Sequence, residues 1–282
     1  MRFPRPLSNH DYRPATWRLL DSGLQDGPTN MAVDEAILEA VAGGDSPPTL
    51  RFYGWQPACL SLGLGQSWQA VNQEACRELG WDYVRRATGG RAIMHVDELT
   101  YSVCAPQDEP HVVGSIIESY RRLSRALLAG LQHMGLTPAQ AEPAYAKLGE
   151  EGAACFDAPS NYEVTVDGRK LIGSAQVRKR GVVLQHGTLP LYGDITRISL
   201  ALNQDEAARW AMQQQLRQRA ITLADCLPEP VSYDQAVAFM ITGFQDALGL
   251  TLAPGQLTPK EQQRVVELRA EKYAHPSWTE RR

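Results

Sequence analysis

The sequence lacks the patterns that would put its chemistry on a metal, a disulfide or a nucleotide. Its five cysteines, Cys59, Cys76, Cys104, Cys155 and Cys226, stand at wide, irregular spacing with no CxxC pair, so neither a disulfide framework nor a zinc-ligand set is expected. They read as free thiols of a reducing compartment. The six histidines, His10, His95, His111, His133, His186 and His275, form no HExxH or comparable spacing, and no metal is expected. No P-loop occurs, and Gly63-Leu64-Gly65 in "SLGLGQ" lacks the third glycine of a dinucleotide fingerprint, so no nucleotide cofactor is expected either. The N-terminal stretch "MRFPRPLSNHDYRPATW" has no apolar h-region. No apolar run approaches the roughly 18 to 20 residues that span a bilayer, which points to the cytoplasm and away from membrane. A net charge of -4 with pI near 5.9 lacks the basic excess of a general nucleic-acid binder.

What is present suffices for one large domain with an appendage: 282 residues, 43% of them hydrophobic. A Pro-rich tail over residues 1–15 is expected to be mobile. Residues 16–253 are expected to form the main domain, and 256–282, beyond the Pro254-Gly255 break, a helical extension. "TWRLLDS", "TLRFYGW", "ACLSLGLGQ" and "LTYSVCAP" read as strands, and "DYVRRATGGRAIMH" as two strands around a glycine loop. "GPTNMAVDEAILEAVAGG" reads as a helix capped by Thr29 or Asn30, with Asp34 and Glu35 in its early turns. "SIIESYRRLSRALLAGLQHMG" has the strongest helical spacing and places His133 in a structural role. Three later helices follow, in "DEAARWAMQQQLRQRA", "VSYDQAVAFMITGFQDALG" and "TPKEQQRVVELRAEKYA". Strands grouped with helices, without regular alternation, indicate an α+β fold rather than a doubly wound sheet.

Three stretches carry candidate chemistry. In "RRATGGRAIMH", Gly89-Gly90 allows close backbone approach to a ligand and Arg85, Arg86 and Arg91 supply charge, although a tight hairpin with solvated arginines fits the residue types equally. In "YEVTVDGRKLIGSAQ", Asp167-Gly168 between alternating runs is a type I′ hairpin signal. A two-residue loop pairs Val166 with Arg169, Thr165 with Lys170, Val164 with Leu171 and Glu163 with Ile172. Lys170 then shares a polar face with Glu163, Thr165 and Ser174. It is either an ordinary solvated lysine or one facing a ligand across the small residues Gly173, Ser174 and Ala175. Cys155, in "GAACFDAPSNYEV", is either a small buried hydrophobe or a nucleophile whose thiol a nearby ammonium ionises. Lys170 is the nearest such cation in chain topology.

Together "RRATGGRAIMH…ELTYSV", "CFDAPSNYEV", "GRKLIGSAQ" and "LQHGTLPL" resemble the biotin/lipoate protein ligase and octanoyltransferase superfamily, over nearly the whole chain from "NMAVDEAIL" to "EKYAHPSW". The resemblance implies a catalytic domain whose mixed β-sheet, flanked by helices, carries an acyl tunnel. The cysteine directly before "FDAPSNYEV" is similar to that of octanoyltransferases, which move octanoyl from acyl carrier protein through a cysteine thioester to a lipoyl-domain lysine, notably on the glycine cleavage H protein. That is the first step of endogenous protein lipoylation. Carried over, the resemblance makes Cys155 the acyl-thioester nucleophile and Lys170 the group that tunes it and shuttles protons. It puts Arg86, Gly89, Gly90 and His95 along the acyl pocket, Gly173, Ser174 and Ala175 on the facing wall, and His186, Gly187 and Thr188 nearby. Gly89-Gly90-Arg91 stands where many lipoate ligases have a third glycine, which suits a transferase better than an adenylating enzyme. "RKR" at 178–180 is a solvated turn or a dock for the acidic carrier. A monomer is expected. The alternatives are an ATP-dependent lipoate ligase, a lipoyl amidotransferase, and a non-catalytic lipoyl-domain binder with Cys155 inert.

Overall fold

The computed structural model describes residues 14–140 and 163–281. The first strand, β1 (Ala15–Gln25), leads into α1 (Gly27–Ala42), β2 (Thr49–Trp55), β3 (Cys59–Leu62), α2 (Gln73–Glu78), β4 (Asp82–Arg85), β5 (Ile93–His95) and β6 (Glu98–Pro106). There follow α3 (Ile116–His133), β7 (Ala139–Gln140), β8 (Val164–Val166), β9 (Arg169–Lys179), β10 (Val182–Pro190), α4 (Ile198–Ala201) and α5 (Glu206–Arg219). The chain ends with α6 (Tyr233–Leu248), β11 (Leu250–Pro254), α7 (Pro259–Leu268) and α8 (Pro276–Thr279). The strands anticipated from alternation and the long helices are all present. β11 had no signal of its own, being a short strand held by parallel pairing with β1.

Eight strands form one sheet in the order β11-β1-β2-β6-β10-β9-β8-β7, and a second sheet has the order β4-β3-β5. Among the described strands only β11-β1-β2 and β3-β4 pair in parallel, so the large sheet is mixed but mostly antiparallel. Its two faces are read from consecutive residues of the central strand β6. Tyr101 packs into the main core with Phe52, Leu123, Leu127, Met240 and Phe244, the face covered by α3 and α6. Ser102 turns the other way and donates to Asp34 Oδ1 of α1 at 2.8 Å. That second face is covered by α1, whose Val33, Ile37 and Val41 pack with Leu20, Cys104 and Leu184. α3 and α6 approach closely because Gly243 is a glycine; a Cβ there would lie 2.5 Å from the Ala126 carbonyl oxygen.

Helix α1 begins earlier than its expected cap. Asp26, not Thr29 or Asn30, accepts from the Thr29 amide at 2.7 Å. Pro28 is tolerated in the first turn because its missing N–H would have no helical partner there. Asn30 is released for tertiary work and donates to the Gly54 carbonyl at 2.9 Å. Asp34 and Glu35 serve ion pairs rather than the helix dipole. Burial alone would raise the Glu35 carboxyl, but hydrogen bonds from Lys179, Lys272 and Tyr273 bring it down to about 2. The segment expected as a C-terminal extension folds back here: Leu268 and Tyr273 pack with Met31 and Ala32, and Glu261 takes a bidentate pair from Arg18 at 2.8 and 2.7 Å.

Candidate active site

The hairpin that carries Lys170 has the expected turn and a different register. Asp167 and Gly168 both have positive φ, 50° and 74°, as a type I′ turn requires. Val166 pairs with Arg169 and Thr165 with Lys170, but Val164 pairs with Ile172 instead of Leu171. The extra residue is a β-bulge, which lets both Leu171 and Ile172 enter the core and reverses facing for everything beyond it. Lys170 therefore does not share a face with Ser174. It lies over Gly173, where a Cβ would stand 2.8 Å from its Cε and 3.1 Å from its Nζ. Nor is it solvated: it is 4% exposed, and its Nζ donates to Glu163 Oε1 at 2.5 Å. Ser174 turns to the opposite face, with its hydroxyl 2.8 Å from the Tyr101 phenol.

Gly173 belongs to the wall of a cavity of about 280 Å³ on the α1 face of the large sheet, roofed by β3, β5 and the glycine loop. Of the residues anticipated for a pocket, Arg86, Gly90, His95, Gly173, Ser174, Ala175, His186, Gly187 and Thr188 line this one space. Gly89 does not; its carbonyl is used to fix the loop. Cys155 lies outside the described residues. Met31, Tyr53, Trp55, Ser61, Arg91, Ile93 and Thr100 complete the lining. Apart from Arg91 these carried no signal, because their strand and helix patterns read equally well as core.

Arg86 organises this cavity through its own hydrogen bonds. Its Nε donates to Thr88 Oγ1 at 3.1 Å, and Nη1 donates to the Ser61 carbonyl and hydroxyl at 3.0 and 3.1 Å. Nη2 donates to the carbonyls of Gly89 and Arg91 at 2.9 and 2.7 Å. The guanidinium thus shapes the glycine loop, which also needs Gly63: a Cβ there would collide with the Gly90 carbonyl. That close approach accounts for Gly63 of "SLGLGQ".

Each hydroxyl held by Arg86 also meets a histidine. Ser61 Oγ is 2.7 Å from His95 Nε2, and His95 Nδ1 is 2.7 Å from Glu98 Oε1. Thr88 Oγ1 is 2.7 Å from His186 Nε2, and His186 Nδ1 is 3.5 Å from Asp34 Oδ2. A carboxylate can only accept, so either ring, when neutral, carries its proton on Nδ1 and accepts from the hydroxyl at Nε2. Burial, with the charges of Arg86 and His95 adding to it, lowers the His186 pKa although Asp34 opposes it. Asp34 stays ionised against its own burial because Arg51 donates to it at 2.7 Å and His186, Ser102 and Tyr53 surround it. The Thr188 hydroxyl is buried on the same wall with no hydrogen-bond partner among the described residues.

The basic triplet at 178–180 is largely engaged within the chain. Arg178 donates to the carbonyls of Gly114 and Val112 at 2.6 and 3.4 Å, Lys179 pairs with Glu35 at 2.7 Å and Arg180 with Glu39 at 3.1 Å.

A family model described as the lipoyl protein ligase A/B catalytic domain matches residues 26–245. Over 272 residues the chain is 44% identical to an octanoyltransferase LipM of Symbiobacterium thermophilum, covering 94% of this chain and 98% of that protein. It is 47% identical over 274 residues to an octanoyltransferase LipM of Moorella thermoacetica, covering 95% and 98%. Among solved structures, a bi-partite archaeal lipoate protein ligase of Thermoplasma acidophilum, studied with its E2 lipoyl domain, superposes with a TM-score of 0.79 at 25% identity over 94% of this chain and 96% of that one.

Proposed function

The chain belongs to the lipoyl protein ligase A/B catalytic-domain family, and we propose that within it the protein is an octanoyltransferase of protein lipoylation, working in the cytoplasm. The donor is octanoyl-acyl carrier protein, the nucleophile is Cys155, and the acceptor is a lysine of a lipoyl domain such as the glycine cleavage H protein. The octanoyltransferase relatives support the transfer itself. The T. acidophilum ligase, described with its E2 lipoyl domain, supports a lipoyl-domain acceptor.

The observation that carries the reading is the placement of Lys170. An ammonium buried beside the cavity, held by Glu163 and running over a glycine, is a poor choice for stability alone. Desolvating such a pair costs several kcal/mol that its attraction only partly returns. An ammonium so held would lower the pKa of a Cys155 thiol that meets it and would supply a thiolate at neutral pH. The thiolate attacks the donor thioester and displaces the carrier thiol, which takes a proton from Lys170 as it leaves. The acceptor amine then attacks the Cys155 thioester and gives up a proton to Lys170; the C–S bond breaks, the Cys155 thiolate is released, and the product leaves as a stable amide. A thioester is already activated, so the first exchange is near thermoneutral and no nucleotide enters. The Thr188 hydroxyl, which has no hydrogen-bond partner among the described residues and belongs to a position paired across the sheet with Gly173, is a candidate donor to the carbonyl oxygen as it gains charge.

The test is incubation of the protein with octanoyl-acyl carrier protein in the absence of ATP, followed by intact-mass measurement. An octanoyl adduct is expected, absent from Cys155→Ala, and transferable to a lipoyl domain. Lys170→Ala is expected to acylate slowly while remaining folded. An ATP requirement without an adduct would instead mark a ligase, dependence on an octanoylated H protein as donor an amidotransferase, and binding with no adduct an inert module.

A further inference from the structure

The cavity has a direction, and its closed end is built differently from its mouth. Gly90 at the mouth is exposed, and Arg91, Ser174 and Ala175 beside it are half-buried. From the lysine end on β9 the lining crosses β10 at Thr188 and β6 at Thr100, and it stops at Tyr53 and Trp55 of β2, where Met31 of α1 closes over them. Met31, Tyr53 and Trp55 are 3%, 0% and 7% exposed. A chain entering at β9 therefore runs across the strands, and the distance it can run is set where those three side chains stand.

The spacing suits a chain of middle length. Three interstrand steps separate β9 from β2, about 14 Å at roughly 4.8 Å each. An extended eight-carbon acyl chain covers about 9 Å, from carbon–carbon bonds of about 1.5 Å projected along its zigzag. The remaining length is taken up by the side chains at the closed end.

Two of those side chains are pinned. The Tyr53 phenol donates to Asp34 at 3.0 Å under the Arg51 guanidinium. The Trp55 indole donates to Thr100 Oγ1 at 2.8 Å and is stacked on His95 with ring centroids 3.9 Å apart. Met31 is an unbranched thioether in an apolar cluster with Ala32, Ala36, Tyr53 and Trp55, and it can change size or rotamer without breaking a polar contact.

We propose that Met31 is the length-determining residue of the acyl pocket: its side chain, backed by the fixed Tyr53 and Trp55, stops the ω end of the chain. This rests on the octanoyltransferase reading for the chemistry but not for the geometry. Two readouts therefore separate the two claims: adduct formation from hexanoyl-, octanoyl-, decanoyl- and dodecanoyl-acyl carrier protein, and equilibrium binding of the free hexanoic, octanoic and decanoic acids. Met31→Ala is expected to move both preferences to longer chains, with the decanoyl-to-octanoyl ratio rising up to about 16-fold, since each of the two methylenes newly buried is worth about fourfold. Met31→Phe, which fills the end, is expected to move them toward hexanoyl. Met31→Leu, close in volume, should leave the profile in place and serves as the folded control. Unchanged profiles in folded Met31→Ala and Met31→Phe overturn the assignment even if adducts form normally. A shift in fatty-acid binding without any adduct would uphold the assignment and count against the transferase reading.

Discussion

Arg85 and Arg86 are neighbours in sequence, are both buried, and spend most of their hydrogen bonds on backbone carbonyls, yet they hold different parts of the molecule. Arg85 donates to the carbonyls of Trp278, Thr279 and Arg281 at 3.2, 2.9 and 2.7 Å. It reaches in the other direction to Gly63 at 2.9 Å and Gln66 at 2.6 Å. It therefore ties the C-terminal segment to the turn after β3. Arg86 faces the cavity and ties the glycine loop to two histidine relays. The difference follows from alternation at a strand end, where one residue points outward to a docked segment and the next inward to the site. A planar fork of five donors explains why arginine serves both places.

The comparison can be broken by replacing each arginine with lysine, which keeps the charge and loses the fork. For Arg86→Lys the octanoyl-transfer rate is expected to fall by about 100-fold, as a loop displaced by a fraction of an ångström would cause, with the thermal midpoint lowered only modestly. For Arg85→Lys the order reverses. Several carbonyls lose their donor, stability falls by about 3 kcal/mol in urea titration, and transfer by the folded protein at low temperature stays within about threefold. Equal losses of rate and stability in both variants would dissolve the distinction.

The smallest expected effect sharpens it through pH. His186 stands on the Arg86 side and is held neutral, with its pKa lowered chiefly by burial, whereas Arg85 has no histidine among its hydrogen-bond partners named above. Between the ordinary histidine value of about 6.5 and the lower folded value, the unfolded chain binds a proton that the folded chain does not. Stability must then decline as pH falls below about 6.5, by at most about 1.4 kcal/mol per pH unit from this group. Denaturant titration from pH 7.5 to 5 should show that slope, and His186→Gln should flatten it while Arg85→Lys leaves it intact.

Much of the scaffold was legible because its signals are local. The alternation of "TLRFYGW", the helical spacing from Ile116 to Leu131 and the Asp167-Gly168 turn each depend on residues a few positions apart, and each produced the anticipated element. The glycine, histidine and small-residue motifs also converge on one cavity, apart from Gly89. What escaped depends on distant partners. Asp34 reads as a helix-dipole residue until Arg51, Ser102 and His186 are brought around it. Ser61, Thr88 and Glu98 read as ordinary strand or loop residues until Arg86 and the histidines join them. The bulge escaped because Leu171-Ile172 satisfies alternation poorly in either register, and only the core, by taking both side chains, decides.

That bulge also sets how the hairpin responds to a change in residue count. Two residues separate Lys170 from Gly173, and plain alternation would put those two positions on opposite faces; the bulge puts them on one. Losing Leu171 or Ile172 would leave a single residue between them, so plain alternation would keep the lysine over the glycine while the core loses one of its two side chains. In-frame deletion of either codon should therefore cost stability yet spare transfer by the folded protein far more than Lys170→Ala does, a tolerance that substitution scanning would miss.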